Sequence, residues 1–247
     1  MTKTKKKTKV PKNTIPRDRY HGPLITGGVS LGYIKFYPWL NLPFSIFFFY
    51  LGLLGESAAH LGLIKILFLT CIIINAVSIL FSFFHSLVNR FKSLAYVLIA
   101  LVSWTTLLWI DFIGLMMFVS SGDSGSIEDL YVSPLTLFYV IPMLLLFFLT
   151  CGFYAWHYLP QNQGKVWKIN QWETYGGKAK GKKKERLTNF GAAFGVVLFV
   201  PAVLTGYIAN AFGVFLGILL TSTLSAVIVD AFYAAVYIRK HPEDDSL

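Results

Sequence analysis

Charge is what this sequence lacks. Only 14% of its 247 residues are Asp, Glu, Lys or Arg, whereas 55% are hydrophobic and 17% aromatic. A soluble domain carries about 25% charged residues, and a chain of this size cannot hide such an apolar excess in one water-surrounded core. Cysteine is equally scarce. Cys71 and Cys151 are the only two, each inside an apolar run, so neither a disulfide framework nor a CxxC site is available and both read as small packing residues.

Signatures of chemistry are missing as well. There is no GxxxxGK[ST], no HExxH and no GxSxG. The five histidines, His21, His60, His85, His157 and His241, are dispersed along the chain, whereas a metal site needs at least three converging ligands. His85 and His157 near Asp230 form the one conceivable acid–base group. The sequence therefore predicts no catalytic site, no metal and no cofactor.

What is present is a series of long apolar runs. A spanning helix needs about 20 such residues, and six runs are read as spans: 39–55, 61–84, 94–119, 134–158, 190–209 and 211–238. The first is short and broken by Pro43, and it could instead be tilted or re-entrant. Pro142 and Pro201 lie inside the fourth and fifth and remove backbone donors there. The expected fold is an all-α polytopic bundle of six transmembrane helices.

The charges that do occur are sorted by connection. Residues 1–37 hold nine Lys/Arg against the single acid Asp18, the connection after the second run holds Arg90 and Lys92, and 165–186 holds eight basic residues. The alternate connections hold no Lys or Arg but four acids, Glu56, Asp123, Glu128 and Asp129. By the positive-inside rule this predicts both termini in the cytoplasm, and it assigns the net charge of +10 to topology, not to a nucleic-acid partner. The implied organisation is a basic tail (1–37), helices one to four (38–158), a basic loop (159–188), a hairpin of helices five and six (189–238) and a short tail (239–247).

In the basic loop, Val166, Ile169, Trp172 and Tyr175 recur every three residues, which fits a short helix in the headgroup plane. Lys178, Lys180, Lys182, Lys183, Lys184 and Arg186 follow, a cluster expected to attract anionic lipid headgroups or to dock a membrane-protein partner. Small residues mark close helix approach in lipid. Gly191 and Gly195 on the fifth run, with Gly213 and Gly217 on the sixth, are the expected contact stripe of a tight hairpin.

Three charges interrupt the apolar runs: Lys65, Asp111 and Asp230. An ionisable group at membrane depth is costly and is a functional candidate by default. Lys65 and Asp111 share one half of the bilayer and could pair, with Glu56 and His60 close by. Asp230 lies in the other half, with His85, His157 or Arg239 in reach. A structural role is the plainer expectation for Lys65, which can snorkel to the interface, and for Asp230; Asp111 is the strongest candidate for function. The leading expectation is a non-catalytic plasma-membrane protein of bacterial type, serving as a membrane-complex component or a protective, immunity-type factor against a membrane-acting toxin. The alternative is a small-solute or ion transporter or channel that uses Asp111.

Overall fold

The computed structural model describes residues 30–54, 62–119, 130, 133–157 and 206–240, with scattered positions between 193 and 204. The elements are all helices: α1 Tyr33–Leu54, α2 Gly62–Phe83, the short α3 His85–Arg90, α4 Lys92–Val119, α5 Pro134–His157 and α6 Ile208–Lys240. α4 lies at the centre. It packs along most of its length against α6, while α1 and α2 form a pair on its other side and α5 covers the α6 flank.

Four of these helices are long and apolar enough to cross a bilayer: Leu63–Phe83, Lys92–Val119, Pro134–Trp156 and Ile208–Lys240. The protein is a multi-pass helical membrane protein, and the expectation of six spans is corrected to four among the described residues. α1 is helical over the first expected span but is not among these four. The fifth expected span, 190–209, is described only at interrupted positions, and no continuous spanning helix is described over it. Nor does the structure carry any orientation relative to a membrane, so the placement of both ends inside is withdrawn with the count. At 33 residues α6 is about 50 Å long. That exceeds a hydrocarbon core of about 30 Å, so one end of α6 lies beyond it. Arg239 and Lys240 occupy its last turn, where cations complement the helix dipole.

The α1–α2 pair rests on a shared period. The buried positions of α1 are Ile34, Pro38, Asn41, Ser45 and Phe48; those of α2 include Ile64, Phe68, Cys71, Asn75 and Ser78. Both sets step by four and three alternately, the 3.5-residue repeat that keeps one seam facing a neighbouring helix. Phe48, Phe68 and Phe112 close one end of this seam against α4, with ring centroids 5.1 to 5.3 Å apart.

Polar side chains fasten the middle of the same seam. The Asn41 amide donates to the Val102 carbonyl at 3.0 Å and to the hydroxyls of Thr105 and Thr106 at 3.3 and 2.7 Å. Its oxygen accepts from the Trp109 indole at 3.2 Å, and that indole stacks on Phe44 at 4.2 Å. Asn75 donates to Thr105 at 3.2 Å from α2. With no water in the bilayer core, such groups favour partners inside the protein, and although the Asn75 Oδ1 is left without one among the described residues, this network ties α1 and α2 to about two turns of α4. Asn41→Ala removes every one of these α1 contacts, and we expect a loss of about 1–2 kcal/mol at the modest per-bond values measured in membranes. Thermal unfolding in detergent reads it; an unchanged midpoint contradicts the network's role in stability.

The second half is built on small residues. α6 runs antiparallel to α4: Asn210 donates to the Phe118 carbonyl at 2.6 Å at one end, and Ser93 donates to the Ala235 carbonyl at 2.9 Å at the other. Between them Gly213, Gly217, Thr221 and Ser225 are all buried at spacings of four. α5 runs parallel to α6, with Tyr139 near Gly213, and Ser225 donating to the Thr150 hydroxyl at 2.8 Å lower down. Only Tyr139 and Met143 of the described α5 side chains are fully buried. Its large apolar residues, among them Phe138, Leu145, Phe148 and Leu149, are exposed, as a lipid-facing helix requires.

Candidate functional site

The site grows from the place where α4 and α6 approach most closely. A Cβ on Gly213 would fall 2.5 Å from the Gly114 carbonyl oxygen, so only glycine fits there. A Cβ on Gly114 or on Gly217 would overlap the Tyr139 hydroxyl. The two glycines thus form a notch, contributed by two helices, into which the Tyr139 side chain of α5 is inserted. Its hydroxyl points at the Gly213 carbonyl at 3.5 Å, long for a hydrogen bond.

One turn along α4 from this notch stands Asp111, about 12 Å from the Val119 end of its helix at 1.5 Å per residue. Its partner is on α6: the Thr221 hydroxyl lies 3.2 and 3.1 Å from the two carboxylate oxygens. A hydroxyl has one hydrogen to give, while a carboxylate offers about four acceptor positions. Thr221 is therefore a partial match. Tyr139 lies within electrostatic range of the same carboxylate.

The remaining side of Asp111 faces a cavity of about 390 Å³. α4 forms its floor through Trp104, Leu107, Leu108, Asp111, Phe112 and Leu115, while α2 and α5 stand on either side. Asp111 is the one charged residue among the described residues of the lining. Of the few other polar groups, the Thr136 hydroxyl is occupied by the Leu130 carbonyl and the Tyr139 hydroxyl is turned into the glycine notch. Among the described residues the arrangement is a largely apolar chamber with one carboxyl group as anchor, the general form of a small-molecule site.

No protein family, curated protein or solved structure matches the chain. The reading of the site therefore rests on its own geometry.

The residues singled out in the sequence are distributed as follows. Lys65 is partly buried on α2 and makes no ion pair with Asp111; that pairing is replaced by the Asp111–Thr221 contact. Asp230 is fully buried, away from the cavity and within electrostatic range of the buried Tyr96 of α4. His85 bonds to Asn89 at 3.2 Å. Gly213 faces Gly114 of α4, and Gly217 faces Tyr139 of α5. A Cβ on Gly195 meets nothing within 4 Å. Lys178, Lys180, Lys182, Lys183, Lys184, Arg186 and Gly191 lie outside the described residues, as do Glu56 and His60. Among the described residues no three His, Cys, Asp or Glu side chains converge.

Thr221, Tyr139 and Gly114 are the functional neighbours that the sequence did not expose. Thr221 belonged visibly to the small-residue stripe, but nothing in a single helix says that a threonine four residues beyond a glycine meets an acid on another helix. Tyr139 gives no signal alone, since its role depends on glycines from two other helices.

Proposed function

We propose that this protein is a non-catalytic, multi-pass membrane protein that takes up a small, mainly apolar solute in the Asp111 cavity, as a carrier or channel. The observation that supports this is one carboxyl group, met by a single hydroxyl, at the wall of an apolar chamber between α2 and α5. An acid kept only for packing gains nothing from facing such a space, and its burial is costly. The complex-component and immunity-type readings draw on the basic stretch 178–186, and no contact described here favours them. Attraction of that stretch to anionic headgroups, at about 1 kcal/mol per basic residue, and residence in a bacterial plasma membrane belong to the same proposal and rest on composition.

Filling the chamber tests the reading. Leu108 lines it from α4, and Leu108→Trp adds bulk while leaving the Asp111 carboxyl group in the chain. Native mass spectrometry of gently purified protein is expected to show a small-molecule adduct on the wild type, most of it lost in Leu108→Trp. An identical adduct pattern in the two proteins contradicts a solute-holding cavity.

A further inference from the structure

We infer that the occupant of this cavity is a cationic amphiphile, an alkyl amine with its ammonium on Asp111 and its chain along α4 toward Trp104. The inference rests on the proposed function and narrows it to a class of ligand. Three observations carry it.

The first is charge complementarity. Asp111 is the only charged group among the described lining residues and makes no ion pair with Lys65. The Thr221 hydroxyl supplies one hydrogen to a group with about four acceptor positions. A carboxyl group in apolar surroundings is held as an anion only by a positive partner with several donors, and an ammonium brings three. A carboxylate or phosphate ligand would instead meet no basic side chain among the described lining residues.

The second is shape. Trp104 lies two turns before Asp111 on the same face of α4, about 10 Å away at the helical rise, and the lining between them is Leu107 and Leu108 with Phe147 and Phe148 across on α5. Between Asp111 and the Trp104 indole no described lining residue offers a polar group for a second head, so the ligand is charged at one end and apolar along its chain.

The third is access. α2 and α5 stand apart on the two sides of the cavity, and the large α5 side chains beside it, Leu144 and Phe148, are exposed. In a bilayer that side faces lipid, the phase in which an amphiphile of this kind dissolves.

Trp104 at the far end makes the geometry measurable. Three probes, ω-bromooctylamine, ω-bromooctanol and ω-bromooctanoate, would be titrated into purified full-length protein, with bromine quenching of tryptophan fluorescence as readout and Trp104→Phe to isolate the signal of that ring. The expected result is saturable, Trp104-dependent quenching by the amine at concentrations about tenfold lower than by the alcohol, the lower range of what a charged hydrogen bond contributes, with the acid weakest. In Asp111→Asn, which keeps the acceptor for Thr221 but loses the charge, amine and alcohol should become equivalent. Their continued saturable quenching would show that this variant is folded. Equal amine and alcohol affinity in the wild type, or an amine preference that survives Asp111→Asn, overturns the cationic ligand and leaves the solute-holding cavity standing. The absence of saturable quenching by all three probes overturns both.

Discussion

Gly213→Ala is expected to lower the stability of the bundle by about 2 kcal/mol, within the usual range for overpacking a tight contact, whereas Gly152→Ala leaves it unchanged or slightly raised. Both glycines are helical and neither has a positive φ, so backbone freedom does not separate them. Space does. A Cβ on Gly213 meets the Gly114 carbonyl oxygen at 2.5 Å and the Met117 Cβ at 3.0 Å, and these are atoms of a neighbouring helix that cannot swing aside. A Cβ on Gly152 meets nothing within 4 Å, and there alanine gains by restricting the unfolded chain. Because α4 and α6 share the most extensive contact in the molecule, forcing them apart at Gly213 also shifts Thr221, two turns along, away from Asp111. Unfolding midpoints in detergent for the two alanine variants decide the matter; equal midpoints would show that the close approach contributes little.

How far this was readable in advance depends on what each residue needs in order to be recognised. The runs 61–84, 94–119, 134–158 and 211–238 correspond to α2, α4, α5 and α6 because length and apolarity alone define a membrane helix. α1 was ambiguous for a definite reason. Asn41 and the two prolines lower its apolar content, yet Asn41 is the residue that fastens α1 to Val102, Thr105 and Thr106 of α4. A hydropathy reading treats that asparagine as a penalty, since the partner that satisfies it lies more than sixty residues away in sequence. The alternating four–three step of Ile34, Pro38, Asn41, Ser45 and Phe48 was the available sign of its packed face.

Asp111 was legible from energetics, since an acid in an apolar run demands an explanation. Its partner was not. Opposite charge and similar depth pointed to Lys65, but rotation about the helix axis decides which neighbour an acid meets, and depth says nothing about rotation. Asp111 is turned toward α6 and the cavity, and so it meets Thr221. The small-residue stripe of α6 was similarly legible while its partner was not: Gly213 and Gly217 meet Gly114 and Tyr139 of α4 and α5, and a stripe on one helix does not name the helix that fills it.

Asp111→Leu is expected to separate fold from function. An acid near the centre of a membrane helix costs about 2.5–3.5 kcal/mol on the insertion scale while leucine is favourable, so the substitution should stabilise the isolated protein, by about 2 kcal/mol where the site is partly open. The Thr221 hydroxyl loses its acceptor but has another at hand. Its neighbours Ser222 and Thr223 already donate to carbonyls one turn back, at 2.7 and 2.9 Å, and Thr221 can do the same, so no buried donor is stranded. A residue whose removal strengthens the fold is kept for what it binds.

The most direct test is the unfolding midpoint of wild type and Asp111→Leu, each with and without octylamine. The expected result is a higher midpoint for the unliganded variant than for the unliganded wild type. Octylamine at a hundredfold over its Kd should then raise the wild type by about 5 °C and leave the variant unmoved. A variant less stable than the wild type, with octylamine shifting both alike, would contradict the account and return Asp111 to a structural role.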